Sequence, residues 1–432
     1  MMNKTSNLCL TVLTVMLLLA PSVFAAGTYS GGDGLSAATA YQIATPADMQ
    51  EIGANPDDWD KHFILTGDID LGNYDGQDGR PVFNHIGTPR YSRPFTGVFD
   101  GAGHTISNLT LNLPDTSYVG LFGWVEGDNE GIKNLRLIDV NISAKNDVGG
   151  LIGWSGATVS NCSTDGSVSG SGKWIGGLIG ENSEASITSC YSTATVSGDY
   201  AVGGLVGQNE YADIARCYSN GNVIGNGSVG GLVGNSGGNN SNVTNSYSTG
   251  SVTGTDCVGG LVGSNADTSV TNSYSTGSVT GTHFVGGLVG CYYNGSITNS
   301  YSTGSVTGND YLGGLVGYAE GRYVTNCYFL DSAGPDNGRG NSLSDAAMKQ
   351  QASFVGWDFN AEIINGTDDV WHMPNGTAGY PMLFFQRDIP ADTTGKYGVD
   401  IEDLSSLSAS WVNSPANLEI LRALAQNWLE GK

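Results

Sequence analysis

Short apolar runs separated by glycine and small polar residues recur along most of the chain. The phrase GGLVG, or a near copy, recurs at steps of 27 or 29 residues, with its first glycine at Gly120, Gly149, Gly176, Gly203, Gly230, Gly259, Gly286 and Gly313. A fixed period of this length indicates one supersecondary unit stacked on copies of itself. Function is therefore to be sought along a repeated surface as well as in a single pocket.

One repeat contains three β-type runs and no helical period. Between Val258 and Cys291 these runs are GGLVG, SVTNSYS and GSVTG, separated by Gly, Asn, Asp or Thr. Three strands of about five residues and three bends fill one coil of a parallel β-helix. The sequence predicts an all-β parallel β-helix of about eight coils, with Leu261 and Val252 inside. It leaves the handedness open.

Two positions of the repeat hold small polar residues. One position is asparagine in four coils, and we expect it to adopt the left-handed backbone conformation of a bend: Asn245, Asn272, Asn299 and Asn326. A second position accepts Cys or Ser interchangeably, in Cys162, Cys190, Cys217, Ser246, Ser273, Ser300 and Cys327. Such a position is most simply small and semi-buried, although a disulfide between neighbouring coils is the alternative.

A tyrosine recurs once in each of six consecutive coils, as Tyr191, Tyr218, Tyr247, Tyr274, Tyr301 and Tyr328. Tyr247 lies five residues before Val252, and an odd separation along one strand places two side chains on opposite faces. If Val252 is inside, the tyrosines face outward and form a candidate ligand-binding stripe for sugar rings or a partner. If Gly250 breaks the strand, the parity shifts and the tyrosines are a packing ladder.

The chain outside the repeats divides into four further segments. An apolar run from Leu8 to Ala20, followed by Val23-Phe24-Ala25, predicts a secretory signal peptide at residues 1–25. Residues 28–118 precede the repeat region 119–330 as an N-terminal cap, in which Thr45 and Pro46 begin a short helix. Residues 331–390 form the C-terminal cap, because the open edges of a β-helix need cover. Residues 392–430 form a small helical pair.

The helical pair is an internal duplication with a calcium-like loop in front of it. Leu404, Leu407 and Trp411 match a second set of residues at an offset of 17, Leu421, Leu424 and Trp428. The loop DTTGKYGVDIED places Asp392, Asp400 and Asp403 at positions that supply oxygen ligands in calcium loops of the EF-hand type. Lys396 and Tyr397 depart from that pattern. Calcium is the only cofactor that the sequence suggests.

Composition restricts the class of partner. Asp and Glu number 41 against 17 Lys and Arg, the net charge is −24, and no Lys or Arg occurs between Arg216 and Arg322. A polyanion finds no cation on that stretch, so nucleic acid is excluded as a partner. No run is long enough for a transmembrane helix. The sequence therefore predicts a secreted or cell-surface protein.

The repeat phrase resembles the GLUG motif of bacterial surface and secreted proteins. The resemblance covers residues 118–330 and extends to non-catalytic regions of some immunoglobulin-A-specific metallopeptidases. It implies an architecture and no activity, because the zinc-binding HExxH helix of those peptidases is absent from this sequence.

The tail resembles a degenerate type I dockerin, a duplicated calcium-loop and helix module. Asp392, Asp400 and Asp403 match three ligand positions, while Thr394 and Lys396 depart and the second loop is lost. The resemblance implies attachment or sorting through a cohesin-like partner.

Enzymes must be weighed because β-helices also host polysaccharide lyases and glycoside hydrolases. The acids most suited to a catalytic pair, or to a surface calcium site, follow the repeat phrase on two successive coils, Glu181, Glu184, Glu210 and Asp213. These segments read as polar loops in which acids are solvated, so we assign no catalytic residue. We predict a non-catalytic protein that adheres to a polysaccharide or a surface protein, with the passive spacer and the polysaccharide-degrading enzyme as alternatives.

Overall fold

The chain forms a parallel β-helix. The computed structural model describes residues 27–87, 93–127, 130–238, 241–320, 323–360, 369–374 and 379–386. Successive coils pair in parallel along three long sheets, which confirms the predicted fold class. The predicted signal peptide, the helical tail and its three candidate calcium ligands, Asp392, Asp400 and Asp403, lie outside the described residues.

The coil of residues 256–282 contains four strands and not the three that the sequence suggested. These strands are Asp256–Gly259, Val262–Thr271, Tyr274–Ser275 and Val279–Thr280. The phrase GGLVG is not one strand, because the chain bends at Gly260 and Leu261. The first half of the phrase ends one strand, and the second half begins the next.

Strands at the same place in each coil form the three sheets. The first sheet contains Tyr41–Ile43, His62–Leu65, Val98–Asp100, Phe122–Glu126, Ile132–Lys133, Ile152–Gly156, Val159–Ser160, Ile179–Ser183, Ile187–Thr188, Val206–Glu210, Ile214–Ala215, Val233–Gly237, Asn242–Thr244, Val262–Thr271, Val289–Thr298, Val316–Glu320 and Val324–Thr325. The second contains Val148–Gly149, Lys173–Gly176, Tyr200–Gly203, Gly227–Gly230, Asp256–Gly259, His283–Gly286 and Asp310–Gly313.

The third sheet carries the tyrosine positions. Its strands are Ile69–Asp70, Thr105–Ser107, Thr110–Asn112, Arg136–Ala144, Ser163–Gly170, Tyr191–Ser192, Thr195–Ser197, Tyr218–Ser219, Val223–Ile224, Tyr247–Ser248, Val252–Thr253, Tyr274–Ser275, Val279–Thr280, Tyr301–Ser302, Val306–Thr307, Tyr328–Leu330 and Asn341–Leu343. The first and third sheets therefore run from the N-terminal region to the last coil.

Stacked aliphatic side chains fill the interior. Leu261 is fully buried and Val252 is 1% exposed, as predicted for the inward positions. Equivalent residues of the next coil lie directly above them, since Val252 pairs with Val279 in register. Burying one such side chain contributes about 1.5–3 kcal/mol. The repetition of this contribution along the coils, with the parallel ladder, stabilises a rod with few ion pairs.

Glycine allows two backbones to approach closely, and asparagine adopts the left-handed conformation of a bend. A Cβ added at Gly260 would lie 2.1 Å from the carbonyl oxygen of Gly287 in the next coil, so this glycine permits close approach of two backbones. The four predicted asparagines all have positive φ, between 48° and 50°, which confirms the left-handed bend: Asn245, Asn272, Asn299 and Asn326.

The N-terminal region continues the rod and closes it with a capped helix. Strands Tyr41–Ile43, His62–Leu65 and Val98–Asp100 extend the first sheet in register. Helix Pro46–Ala54 begins with Thr45 as N-cap, whose side chain forms a capping box with Asp48. This confirms the predicted helix start. Two 3₁₀-helices, Ala37–Thr39 and Pro56–Asp58, flank this helix.

The C-terminal end is closed by a loop and a folded-back segment. The Asn337 side-chain amide donates to the carbonyl oxygens of Leu312 and Val316, so it satisfies acceptors on the edge of the last coil. Residues 344–360, 369–374 and 379–386 then turn back along the third sheet. Their elements are helix Asp345–Met348, 3₁₀-helices Gln351–Ser353 and Phe384–Gln386, and the antiparallel strands Trp371–His372 and Met382–Leu383.

Candidate functional site

Five of the six tyrosines form a continuous stack on the outer face of the third sheet, and the sixth, Tyr328, pairs in register with Tyr301. Ring centroids of neighbours from Tyr191 to Tyr301 lie 4.7–5.0 Å apart, with planes within 7° of parallel. The serine that follows each stacked tyrosine points inward and is buried: Ser192, Ser219, Ser248, Ser275 and Ser302. The tyrosines therefore face away from the coil interior. The chain does bend at Gly250, between the strands of Tyr247 and Val252, but this bend does not turn the tyrosines inward.

The folded-back segment covers the C-terminal half of this stack. Tyr274, Tyr301 and Tyr328 are only 4%, 1% and 6% exposed. The hydroxyl of Tyr301 donates to the carbonyl oxygen of Pro381 at 2.7 Å, and the Tyr328 hydroxyl accepts from the Val355 N–H at 3.1 Å. An exposed stripe of six rings is therefore wrong for these three tyrosines, because an aromatic segment outside the repeats buries them.

Tryptophans provide most of that cover. The Trp371 ring lies 6.3 Å from Tyr274 and 6.0 Å from Tyr301, and Trp357 lies 6.1 Å from Tyr301. The two indoles stack on each other at 4.4 Å. This second hydrophobic core is separate from the interior of the rod. Tyr191, Tyr218 and Tyr247 remain half-buried.

Burial changes the acidity of the covered phenols. Desolvation raises the pKa of Tyr274 and Tyr301 above the ordinary value, because the tyrosinate would lose its hydration. The same cause raises the pKa of Tyr247. These phenols stay protonated at neutral pH and act as hydrogen-bond donors.

The acids considered for catalysis do not form one cluster. Glu181 is 8% exposed and pairs in register with Gln208, whereas Glu184 and Asp213 are exposed. The Gln208 side chain donates to Glu210, and Asn242 donates to Asp213. Within the described residues, no group of three or more His, Cys, Asp or Glu side chains is placed to hold a metal ion.

The cysteines separate into a buried row and one disulfide. Cys162, Cys190, Cys217 and Cys327 are buried and free, so the interpretation as a small buried position is confirmed and a disulfide among them is wrong. The Cys190 sulfur accepts the Cys162 N–H, just as the Ser246 hydroxyl accepts the Cys217 N–H. Burial raises the pKa of the Cys190 thiol. This equivalence explains why either residue fits.

The disulfide joins Cys257 of one coil to Cys291 of the next. Their Cα atoms are 5.1 Å apart. Cys257 belongs to a row of left-handed residues two positions before each repeat phrase, and φ in this row is 51–65° for Tyr118, Asp147, Trp174, Ala201, Ser228, Cys257, Phe284 and Tyr311. Cys291 belongs to a neighbouring row, in register with Ser264 and Tyr318.

Contacts between the same two rows, from one coil to the next, build an aromatic patch at the C-terminal end of these rows. We define the patch as Phe284, Tyr293, Tyr311 and Tyr318. Phe284 stacks on Tyr311 at 4.8 Å and meets Tyr318 edge-on at 5.2 Å. Tyr318 also lies 5.9 Å from Tyr293. The four rings therefore form one contiguous surface.

The aromatic patch is accessible to solvent. Tyr311 is 60% exposed, and the other three rings are half-buried. The sequence did not predict this surface, because different residue types stand at these repeat positions in different coils. The only signal available was the alignment of the repeats, which places Phe284 and Tyr311 two residues before successive GGLVG phrases.

Carboxylates border the patch. The Tyr318 hydroxyl donates to Glu320 at 3.3 Å. Burial, and then the carboxylates of Asp256 and Glu320, raise the pKa of Tyr293. Asp310, beside Tyr311, lies 3.1 Å from the His283 ring. The patch thus combines flat apolar faces with hydrogen-bonding oxygens.

Comparison with protein families identifies the repeats. A family model described as the GLUG motif matches residues 175–197, 198–224, 225–253, 254–280 and 281–307. The chain carries GLUG-motif repeats. Halomucin of Haloquadratum walsbyi is 37% identical over 173 residues, which are 39% of this chain and 2% of halomucin. A predicted Gly-rich membrane protein of Evansella cellulosilytica is 32% identical over 140 residues.

This chain spans only a small part of the length of these two relatives. The second relative is matched over 32% of this chain and 16% of its own length. A candidate immunoglobulin A1 protease from Bacteroides ovatus superposes with a TM-score of 0.49 at 22% identity, over 83% of this chain and 95% of that chain. An IgA1 protease gives 0.39 at 17% identity, over 66% and 21%. This likeness concerns the fold alone.

None of the helices in the described part of the chain has the length and apolar character needed to cross a membrane.

Proposed function

We propose that this protein is an exported, non-catalytic surface protein that binds polysaccharide through its GLUG-repeat rod. Similarity to halomucin and to a Gly-rich membrane protein supports a place at or outside the cell surface. The Cys257–Cys291 disulfide supports the same compartment, because such bonds persist in oxidising surroundings. The signal-like segment at residues 1–25 would direct the export.

The aromatic patch is the observation that carries the binding proposal. The rings of Phe284, Tyr311 and Tyr318 contact one another on the outside of the rod. The faces of aromatic rings accept the flat C–H faces of sugars, while phenol and carboxylate oxygens bond to sugar hydroxyls. Contiguous exposed apolar surface of this kind marks an interaction site.

The tyrosine stack contributes a second contact in this proposal. The Tyr218 and Tyr247 rings are stacked 4.9 Å apart and half-buried, so a ligand would meet only their edges. The covered rings of Tyr274, Tyr301 and Tyr328 pack against the folded-back segment. We therefore place the main binding surface at the aromatic patch.

The tail would tether the rod. Its resemblance to a degenerate dockerin supports attachment to a cohesin-like partner, with calcium at Asp392, Asp400 and Asp403. Attachment at one end leaves the long faces of the rod available for a polymeric ligand.

The experiment is retention of the full-length protein on a panel of immobilised polysaccharides. We expect Tyr311→Ala with Tyr318→Ala to weaken binding at least roughly tenfold, because the stacking faces are lost. The matched control is Tyr211→Ala, since Tyr211 is 58% exposed and contacts none of the four rings.

Three results would contradict the proposal. Unchanged retention in the double variant would exclude the aromatic patch, and loss in Tyr218→Ala alone would move the site to the tyrosine stack. Release of reducing ends or unsaturated sugars, abolished by Glu181→Gln or Glu210→Gln, would show an enzyme.

A further inference from the structure

We propose that the aromatic patch selects polysaccharides that carry free amino groups over neutral and anionic ones. This inference rests on the proposed function, since it names the ligand class of the same surface. It follows from the sign and position of the charges around the four rings.

Carboxylates approach the patch from two coils. Glu320 accepts the hydroxyl of Tyr318 at 3.3 Å, and Asp256 and Glu320 both act on the Tyr293 phenol. Asp256, His283 and Asp310 follow one another in register along the second sheet. The acids and the rings therefore lie side by side along the rod axis.

Cations are scarce on the same surface. Residues 217–320 contain no Lys or Arg, and His283 is held by Asp310 at 3.1 Å. Arg339 is the exception in the described part of this surface, because its guanidinium donates to the carbonyl oxygen of Ala319, between Tyr318 and Glu320. The carboxylates of Asp256, Asp310 and Glu320 outnumber this cation around the rings, within a chain of net charge −24.

An amino sugar satisfies both features of the patch. Its ring stacks on an aromatic face, and its ammonium group approaches the carboxylates or the face of a tyrosine, which attracts cations through its quadrupole. A neutral sugar gains only the stacking. A uronic acid polymer is repelled by Asp256, Asp310 and Glu320.

A polysaccharide fits the geometry better than a basic peptide. Phe284 and Tyr311 stack on each other at 4.8 Å, so their facing surfaces are covered, and Tyr311, which is 60% exposed, offers the ring surface that remains open. A flat sugar ring can stack on an open aromatic surface, whereas the flexible stem of a lysine side chain has no flat face.

The experiment compares hexamers of glucosamine and of N-acetylglucosamine on the full-length protein by calorimetry. The two ligands differ only in the amide, and the pH is set where the amine is protonated and the carboxyls are ionised. We expect the glucosamine hexamer to bind roughly tenfold more tightly, from several partly exposed charge pairs acting together. The preference should shrink as salt is added.

Variants separate the contribution of charge from that of stacking. Asp310→Asn with Glu320→Gln should remove the preference and weaken the N-acetylglucosamine hexamer much less than the glucosamine hexamer, because the amide oxygens can still accept hydrogen bonds from sugar hydroxyls. Tyr311→Ala with Tyr318→Ala should weaken both ligands. Asp213→Asn is the matched control, because Asp213 is an exposed acid in another coil.

Each outcome decides between the two proposals. Equal affinity for the two hexamers would overturn the amino-sugar inference and leave polysaccharide binding intact. Failure of every polysaccharide to bind would overturn both. Binding of hexalysine as tight as that of the glucosamine hexamer, with the same loss in Tyr311→Ala, would show that the partner is a basic peptide.

Discussion

The hydroxyl of Tyr301 donates a hydrogen bond of 2.7 Å to the carbonyl oxygen of Pro381, 80 residues further along the chain. This bond holds the folded-back segment against the third sheet at a buried position. The neighbouring indoles of Trp357 and Trp371 complete the contact. The tyrosine stack therefore belongs to the third sheet of the rod and also packs in the second hydrophobic core, against the folded-back segment.

Removing this contact should loosen the folded-back segment. We expect Tyr301→Phe to cost about 1 kcal/mol, through the lost hydrogen bond and an unpaired carbonyl. Tyr301→Ala should cost about 3–5 kcal/mol, through the cavity as well. Limited proteolysis of residues 344–386 and tryptophan fluorescence measure the release.

Tyr211→Phe is the matched control for that series. Tyr211 is 58% exposed, so losing its hydroxyl should change neither protease sensitivity nor fluorescence. If Tyr301→Ala leaves the segment as resistant to protease as in the parent protein, the tyrosine stack does not hold it.

The sequence left the direction of the tyrosines open and did not show what covers them. An odd separation relates the faces of Tyr247 and Val252 only along one continuous strand, whereas the chain bends at Gly250 between two strands. The contact between Tyr301 and Trp371 joins a repeated element to a segment with no repeat. No local period encodes such a contact, because tertiary packing decides it.

The Cys257–Cys291 disulfide should stabilise the coils that it joins. It spans 34 residues, and the loss of loop entropy in the unfolded chain amounts to about 3–4 kcal/mol for that length. We expect Cys257→Ser with Cys291→Ser to lower the thermal midpoint, followed by circular dichroism. Reduction of the parent protein should lower it similarly.

Cys190→Ser provides the same chemical change without breaking a disulfide. Cys190 is buried and free, at a position where Ser246 stands in another coil. Its replacement should change the midpoint much less than the double replacement. A midpoint that reduction leaves unchanged would contradict a stabilising disulfide.

The pairing of these cysteines could not be predicted from spacing. Cys257 and Cys291 stand at different positions of the repeat, and the connectivity of six cysteines is not fixed by sequence alone. The pairing is decided by the contact between the Cys257 row of one coil and the Cys291 row of the next. The same contact between rows brings Phe284 to Tyr318. Both the disulfide and the aromatic patch depend on how neighbouring coils are offset.

The second glycine of the repeat phrase should not tolerate a side chain. A Cβ at Gly260 would lie 2.1 Å from the carbonyl oxygen of Gly287, and a backbone in a packed coil cannot move far. We expect Gly260→Ala to lower stability by about 1–3 kcal/mol or more. Chemical unfolding followed by circular dichroism measures this cost.

Gly237→Ala is the matched control, because a Cβ there meets nothing within 4 Å. We expect no loss, or a small gain from the reduced entropy of the unfolded chain. Equal effects of the two replacements would contradict the close approach of two backbones as the reason for the glycine at position 260.

The covered phenols should make the folded-back segment sensitive to high pH. Desolvation raises the pKa of Tyr274 and Tyr301, and it raises the pKa of Tyr380, helped by the Asp345 carboxylate, to about 12. In the unfolded chain these groups ionise at about pH 10. The folded protein therefore binds more protons above that pH, and its stability falls as the pH rises further.

We expect the segment to hold fully below about pH 10 and to be released progressively above it. Absorbance at the tyrosinate band and protease cleavage within residues 344–386 should change together, because the phenols ionise once they are exposed. In Tyr274→Phe with Tyr301→Phe the loss of stability with pH should be shallower, since two of the shifted groups are gone. Tyrosinate absorbance that rises at the ordinary pKa while the segment stays protected would contradict their burial.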